Sequence, residues 1–300
     1  MQRITIASVL SFAVSAFAFA EGGLRDEKGK HLDILNDGKP IARYMYAHDT
    51  SSPEQRHVTY KPYIHVFAAD GKTLITKGPG GKYTHHRGIF LGWSKLGFRG
   101  KRYDMWHMKT SEIVHQKFIE AKAGKDATVV RVQLHWNTPD DEVMIHEVRT
   151  MTFHHSDPDA LLLLDFQTVL TAADDVDLNG DPEHAGFQYR PHNDVVGNKS
   201  AKYLFFEDGA NPKKNKDMPW VAMTYQLGDK KYTVQHMNHA GNPKGTVHSA
   251  YRDYGRFGTF AKAKVAKGKS LTLQHRIRVI AGEAPAREAL AAEFKKWAGK

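Results

Sequence analysis

The chain has 300 residues, no cysteine, 18 histidines and a net charge of +10. Without cysteine, disulfides and thiolate metal sites are excluded. Its Lys and Arg are scattered, with no basic helix or RNA-binding motif, which argues against a nucleic-acid partner.

Residues 1–20 read as a secretory signal. Arg3 gives a basic start, residues 4–20 carry no charge, and Ala18-Phe19-Ala20 is a small-x-small end. That apolar run falls short of the roughly 20 residues a membrane span needs. The expectation is a periplasmic or secreted protein, with residues 21–300 folding as one β-sandwich domain and no membrane span once the signal is removed. A basic surface on such a chain suits anionic glycans or lipid surfaces, or simply aids solubility.

Period-two alternation dominates the rest. Turn signals Asn36-Asp37-Gly38, Asp70-Gly71, Ser156-Asp157-Pro158-Asp159 and Lys267-Gly268-Lys269 separate β-like runs. Over residues 143–153, Val143, Ile145, Met151 and Phe153 share one face, interrupted by Glu147 and Arg149. Residues 174–183 and 207–219 read as long connections. Leu271, Leu273, His275, Ile277 and Val279 share a face of a last strand. Leu290, Phe294 and Trp297 then recur at helical spacing, after a Pro285 suited to a first turn. The fold class is all-β, a large antiparallel β-sandwich capped by a C-terminal helix.

Four segments carry candidate chemistry. In Thr84-His85-His86-Arg87-Gly88, two imidazoles and a guanidinium sit where a glycine-rich loop enters a strand, and Arg87 could clamp a carboxylate or hydroxyls. In Tyr103-Asp104-Met105-Trp106-His107, Trp106 suits either a sugar ring or a core. The stretch from Asp181 to Asn193 holds Glu183, a general base or metal ligand, beside His184. Its Gln188, Arg190 and His192 share a polar strand face, ending at Asn193. The fourth is His236-Met237-Asn238-His239, with Asn242-Pro243 in the turn after it. No H-E-x-x-H, G-x-S-x-G, P-loop or G-x-G-x-x-G pattern is present.

Taken in order, His85-His86-Arg87-Gly88, Glu147-x-Arg149-Thr150 with Phe153, Leu170-Thr171-Ala172-Ala173-Asp174, Glu183-His184-Ala185-Gly186-Phe187 with Arg190, His239 with Asn242-Pro243, and Arg252-Asp253-Tyr254-Gly255 resemble the PmoA-like family of exported bacterial proteins. The resemblance covers roughly residues 30–297. It implies a sandwich similar to the galactose-mutarotase superfamily and a carbohydrate role. Asn238, His184 and residues 103–107 depart from the family's pattern.

The leading expectation is a carbohydrate-active enzyme of epimerase, lyase or hydrolase type. Glu183 would be the base and His239 or His86 the acid, with His85, Arg87, Trp106, His107, Arg190, His192 and Asn193 binding the sugar. A second reading is a divalent-metal site drawn from His85, His86, His184 and His239. A third is a non-catalytic glycan-binding protein. Nothing in the sequence sets an oligomeric state.

Overall fold

The structure is a computed structural model that describes residues 22–299; the signal read in residues 1–20 lies outside the described residues. Two eight-stranded sheets face each other. The first runs in the order Gly22–Glu27, His31–Asn36, Lys39–Met45, Tyr63–Val66, Ile89–Trp93, Ala185–Tyr189, Phe257–Phe260, Val247–His248. The second runs Lys202–Phe205, Trp220–Leu227, Lys230–Asn238, Ser270–Ala281, Ala160–Ala172, Val143–His154, Ala127–Asn137, Glu112–Lys122. A four-stranded sheet of Ala263–Val265, Val176–Asn179, Lys95–Phe98 and Lys101–Tyr103 completes the fold. All three are antiparallel, as the short polar turns require. In the first hairpin, Asp37 and Gly38 both take positive φ, 49° and 70°, the signature of a two-residue type I′ turn.

Alternating side chains from the inner faces form one apolar cluster between the large sheets, including Leu91, Trp93, Trp136, Phe153, Phe187, Val234 and Ile277. The helix Arg287–Ala298 lies on the opposite face of the second sheet. Leu290 and Trp297 there pack with Trp220, Ala222 and Met237. Pro285 precedes the N-cap Ala286 rather than occupying the first turn. No helix among the described residues is long and apolar enough to cross a membrane.

Two sequence expectations need correction. A bulge between Val143 and Ile145 shifts the register, so Met144 is buried in place of Val143. Residues 174–183 are not simply a connection, because Val176–Asn179 pairs with Lys95–Phe98 and Ala263–Val265.

Glu147 and Arg149, which break the apolar alternation, point inward and satisfy each other. Arg149 Nε donates to Glu147 Oε1 at 2.7 Å, and the carboxylate also accepts from Trp136 Nε1 (2.7 Å) and Thr168 Oγ1 (2.8 Å). Removing one charge would leave the other buried and uncompensated. Glu147→Gln is expected to lower unfolding free energy by about 1.5–3 kcal/mol, the range for hydrogen bonds to a charged group. Urea denaturation would read this; an unchanged midpoint would count against the pair.

Candidate active site

The outward face of the first sheet gathers the chemistry. In Ile89–Trp93, the side chains of Ile89, Leu91 and Trp93 enter the core, so Phe90 points outward and packs with Tyr63 and Trp106. In the neighbouring Ala185–Tyr189, Phe187 and Tyr189 enter the core. Gln188 and then Arg190 therefore take the outward face, with Gln188 opposite Phe90. Gly186 on this strand has φ 90°, and a Cβ there would lie 1.8 Å from the Thr259 carbonyl oxygen, so only glycine permits the close pairing.

Four imidazoles meet over this face. Ring centroids are 4.4 Å apart for His85 and His86, 4.4 Å for His85 and His107, and 5.4 Å for His107 and His184. Two of the four are oriented by carboxylates. His107 Nδ1 lies 2.7 Å from Asp104 Oδ2, and His184 Nδ1 lies 2.9 Å from Asp181 Oδ1. The local cause is the same in both D-x-x-H segments, where the aspartate caps a turn. Asp104 Oδ1 accepts from the N–H groups of Trp106 (3.0 Å) and His107 (2.9 Å), and Asp181 Oδ1 from that of Glu183 (2.9 Å). Each carboxylate favours the Nδ1–H tautomer and leaves Nε2 free to accept a proton. Both rings are part-exposed, at 30% and 41%.

His85 and His86 sit deeper. Burial, then the positive charge of Lys61, lowers the pKa of His85 to about 2. Burial, then His85, holds His86 well below the usual imidazole range. Lys61 is itself buried, which pushes its ammonium well below normal. Its Nζ donates to the Trp106 carbonyl at 2.8 Å and lies 4.5 Å over the Phe90 ring, fixing the loop that carries His107.

The family is shown by a match over most of the chain: residues 31–295 fit the model of a "Family of unknown function (DUF6807)". The chain belongs to the DUF6807 family. This corrects the PmoA-like assignment, which rested on short phrases joined by long spacers, a pattern with little family specificity. No curated protein matches the DUF6807 chain. Among solved structures it is similar to a heparan sulfate lyase HepC mutant from Pedobacter heparinus, at 9% identity and a TM-score of 0.43, covering 94% of this chain and 38% of that one. It is also similar to the Slr1438 protein of Synechocystis sp. PCC 6803, at 12% identity and a TM-score of 0.39, covering 93% and 99%. At such TM-scores neither likeness carries an argument about function.

The other residues singled out in the DUF6807 sequence take varied places. Glu183 is ion-paired with Arg252 and accepts from the Tyr251 hydroxyl at 3.1 Å. Its partial burial pushes the carboxyl up, but these two partners outweigh that and hold it below the usual range, so it is ionised. Arg87 is spent on structure: it donates to the carbonyls of Thr84, His86 (2.9 Å) and His57 (2.6 Å) and stacks on Tyr60. Trp106 is fully buried against Phe90, so its faces are not offered to a sugar ring. His192 follows the strand onto a turn, where its Nδ1 accepts from the Asp194 N–H at 3.3 Å. Asn193 packs against the Gly80-Gly81 turn. His239 is not brought to Glu183 or His86. It follows directly on the strand Lys230–Asn238 of the second sheet, with its ring 5.5 Å from Trp297. Among the described residues, no group of three or more His, Asp or Glu side chains is arranged to hold a metal ion.

Sequence reasoning missed Lys61, the buried Arg256 that donates to Gln188 Oε1 at 3.0 Å, and the orienting roles of Asp104 and Asp181. The repeated D-x-x-H was the available signal for the two aspartates. Lys61 and Arg256 carry no such mark.

Proposed function

We propose that this DUF6807 protein is a carbohydrate-active enzyme that moves protons on a sugar or glycoside, with His107 and His184 as its acid/base pair. The observation that supports this is the two aspartate-oriented imidazoles with rings 5.4 Å apart on one part-exposed rim. One Nε2 would take a proton from a ring carbon, or from a water attacking the anomeric carbon, while the other, protonated, delivers one to the opposite face of that carbon or to the leaving oxygen. Such a pairing suits epimerisation, elimination and inverting hydrolysis. Glu183, ionised and anchored by Arg252, would accept hydrogen bonds from sugar hydroxyls. Tyr83 and Tyr254, whose rings lie 4.9 Å apart, would flank the ring with apolar edges. The apolar start of the sequence supports action outside the cytoplasm.

The test is to incubate the protein with free sugars, sugar acids and glycosides in deuterium oxide and follow them by proton NMR. Loss of a ring C–H signal, a new alkene signal or a freed anomeric signal is expected with at least one class, each naming a different reaction. Binding without any of these changes would make the protein a glycan-binding module instead.

A further inference from the structure

Beneath the imidazole rim lies a patch of buried cations that the proton-transfer chemistry does not use. Arg190 and Arg256 are 0% and 1% exposed. Their partners are neutral. Arg190 Nη1 donates to the carbonyls of Pro191 (3.1 Å) and Tyr254 (2.7 Å), and its guanidinium lies 4.9 Å from the Tyr254 ring centre. Arg256 donates to Gln188 Oε1 (3.0 Å), Ser249 Oγ (3.0 Å) and the Pro182 carbonyl (3.5 Å). Among the described residues, neither guanidinium has a carboxylate within ion-pair distance. Burying a guanidinium without a directly paired counter-ion is costly; Arg256 feels the Glu183 carboxylate only beyond ion-pair distance, and the two guanidinium groups lie close enough to repel each other.

Several donors in the same patch are left without any partner. They are Arg190 Nε and Nη2, Arg256 Nε and Trp106 Nε1, with the imidazole atoms His86 Nδ1 and His85 Nε2 beside them. These side chains are mutual neighbours: the His86 ring lies 6.0 Å from Trp106 and 6.4 Å from Tyr254, and Arg256 lies 5.9 Å from the Trp106 ring centre. Buried polar groups are ordinarily paired, so a cluster of unpaired donors around two unpaired cations calls for an acceptor-rich anion. Tyr83 covers the patch. Its ring stacks 5.3 Å from His86 and 4.9 Å from Tyr254, and it is 37% exposed. It belongs to a loop in which Gly80, Gly81 and Tyr83 all take positive φ, at 85°, 60° and 57°. A tyrosine held in the left-handed region is strained, which favours a second position for this loop.

We propose that Arg190, Arg256, His86 and Trp106 form a seat for an anionic substituent of the sugar, a carboxylate or a sulfate, with the Tyr83 loop closing over it. This rests on the carbohydrate reading above and names its substrate class: a uronic acid or a sulfated sugar, not a neutral one. An entering anion supplies the missing acceptors and compensates both guanidinium charges, and a sugar held there would present its ring to His107 and His184.

The test is a thermal-shift and calorimetric titration of the full chain with D-glucuronate, D-galacturonate, glucose 6-sulfate, inorganic sulfate and D-glucose at matched ionic strength. At least one anionic sugar is expected to raise the melting temperature saturably while D-glucose does not, because a ligand that binds only the folded state stabilises it. A uronate binding tighter than the sulfate ester assigns a carboxylate; the reverse assigns a sulfate ester. Arg190→Gln and Arg256→Gln are each expected to weaken anion binding at least about tenfold, while the melting temperature of Arg190→Gln without ligand holds or rises, since it removes a buried charge that no carboxylate offsets. Tyr83→Ala is expected to bind the same anions with faster association. D-glucose binding as well as D-glucuronate, or both arginine variants binding anions like the wild type, would overturn the seat. Turnover confined to neutral sugars would overturn the seat and leave the acid/base reading standing. Anion binding lost in Arg190→Gln, with no proton exchange on any sugar, would sustain the seat and remove the acid/base reading.

Discussion

Replacing His107 or His184 by Gln is expected to lower turnover by about 10²–10⁴-fold, the usual contribution of a positioned general acid or base. Gln keeps a polar side chain of similar reach but cannot take or give the proton. Both rings are part-exposed and bonded mainly to their own turn aspartates, so folding should change by no more than about 0.5 kcal/mol, the range for surface substitutions. Because the two groups serve one proton-transfer sequence, the double variant should lose little more than the worse single one. Asp104→Asn keeps an acceptor for the Trp106 and His107 N–H groups but removes the charge facing Nδ1. It is expected to lower kcat by about 10–100-fold with KM nearly unchanged, as loss of an orienting partner does. Addition of free imidazole to His107→Gly should restore part of the rate, which a merely structural role for the ring would not allow. Full turnover in both Gln variants would place the chemistry elsewhere, with Glu183 and Tyr251 the next groups to replace.

How much of this was legible beforehand differs between fold and site. The strands Val143–His154 and Ser270–Ala281 announce themselves because apolar residues recur at every second position, broken in the first by Glu147 and Arg149, and the helix Arg287–Ala298 because its apolar residues recur at helical spacing. The bulge at Val143 left no trace in the pattern, since Val143 and Met144 are both apolar. The site depends on sheet order. Residues 104–107 and 181–184 meet because Ile89–Trp93 and Ala185–Tyr189 are hydrogen-bonded neighbours despite their separation in sequence, and no local signal encodes that pairing. The same limit applies to His239. Its turn motif resembles those near the site, yet Lys230–Asn238 belongs to the second sheet, which carries it to the C-terminal helix.

The protein is expected to lose stability steeply as pH falls below about 6.5, in large part through a second histidine group apart from the rim. His236, His248 and His275 are buried between the sheets, with ring centroids 5.5 Å apart for His236 and His248 and 5.2 Å for His236 and His275. Phe187 stacks on His275 at 4.6 Å, and both nitrogens of His236 and His248 lack partners. Burial lowers the pKa of His248 to about 3; burial, then His248, does the same for His275; burial, then His275, holds His236 well below normal. In the unfolded chain all three would titrate near 6.5. Between that value and about 3, the unfolded state therefore binds protons that the folded state refuses, and unfolding free energy falls with falling pH. Each histidine contributes about 1.4 kcal/mol per pH unit, so the three together remove about 4 kcal/mol per unit. Asp33, Asp157 and Asp165, held low against burial by their arginine and histidine partners, act in the same direction only at more acid pH, below their unfolded value of 3.8. The window from about 6.5 to 4.5 thus isolates the imidazoles. Urea midpoints measured across it should give a total uptake on unfolding to which this group adds about three protons, beside those of the buried His65, His85, His86 and His115. His248→Leu, which fills the site with apolar volume and deletes two unpartnered nitrogens, should reduce the uptake by about one proton and leave stability near pH 7 unchanged or higher. A slope identical in wild type and His248→Leu would mean that this imidazole is solvated or charged in the folded protein, and the acid sensitivity would then rest on His236 and His275 and on the buried His65, His85 and His86.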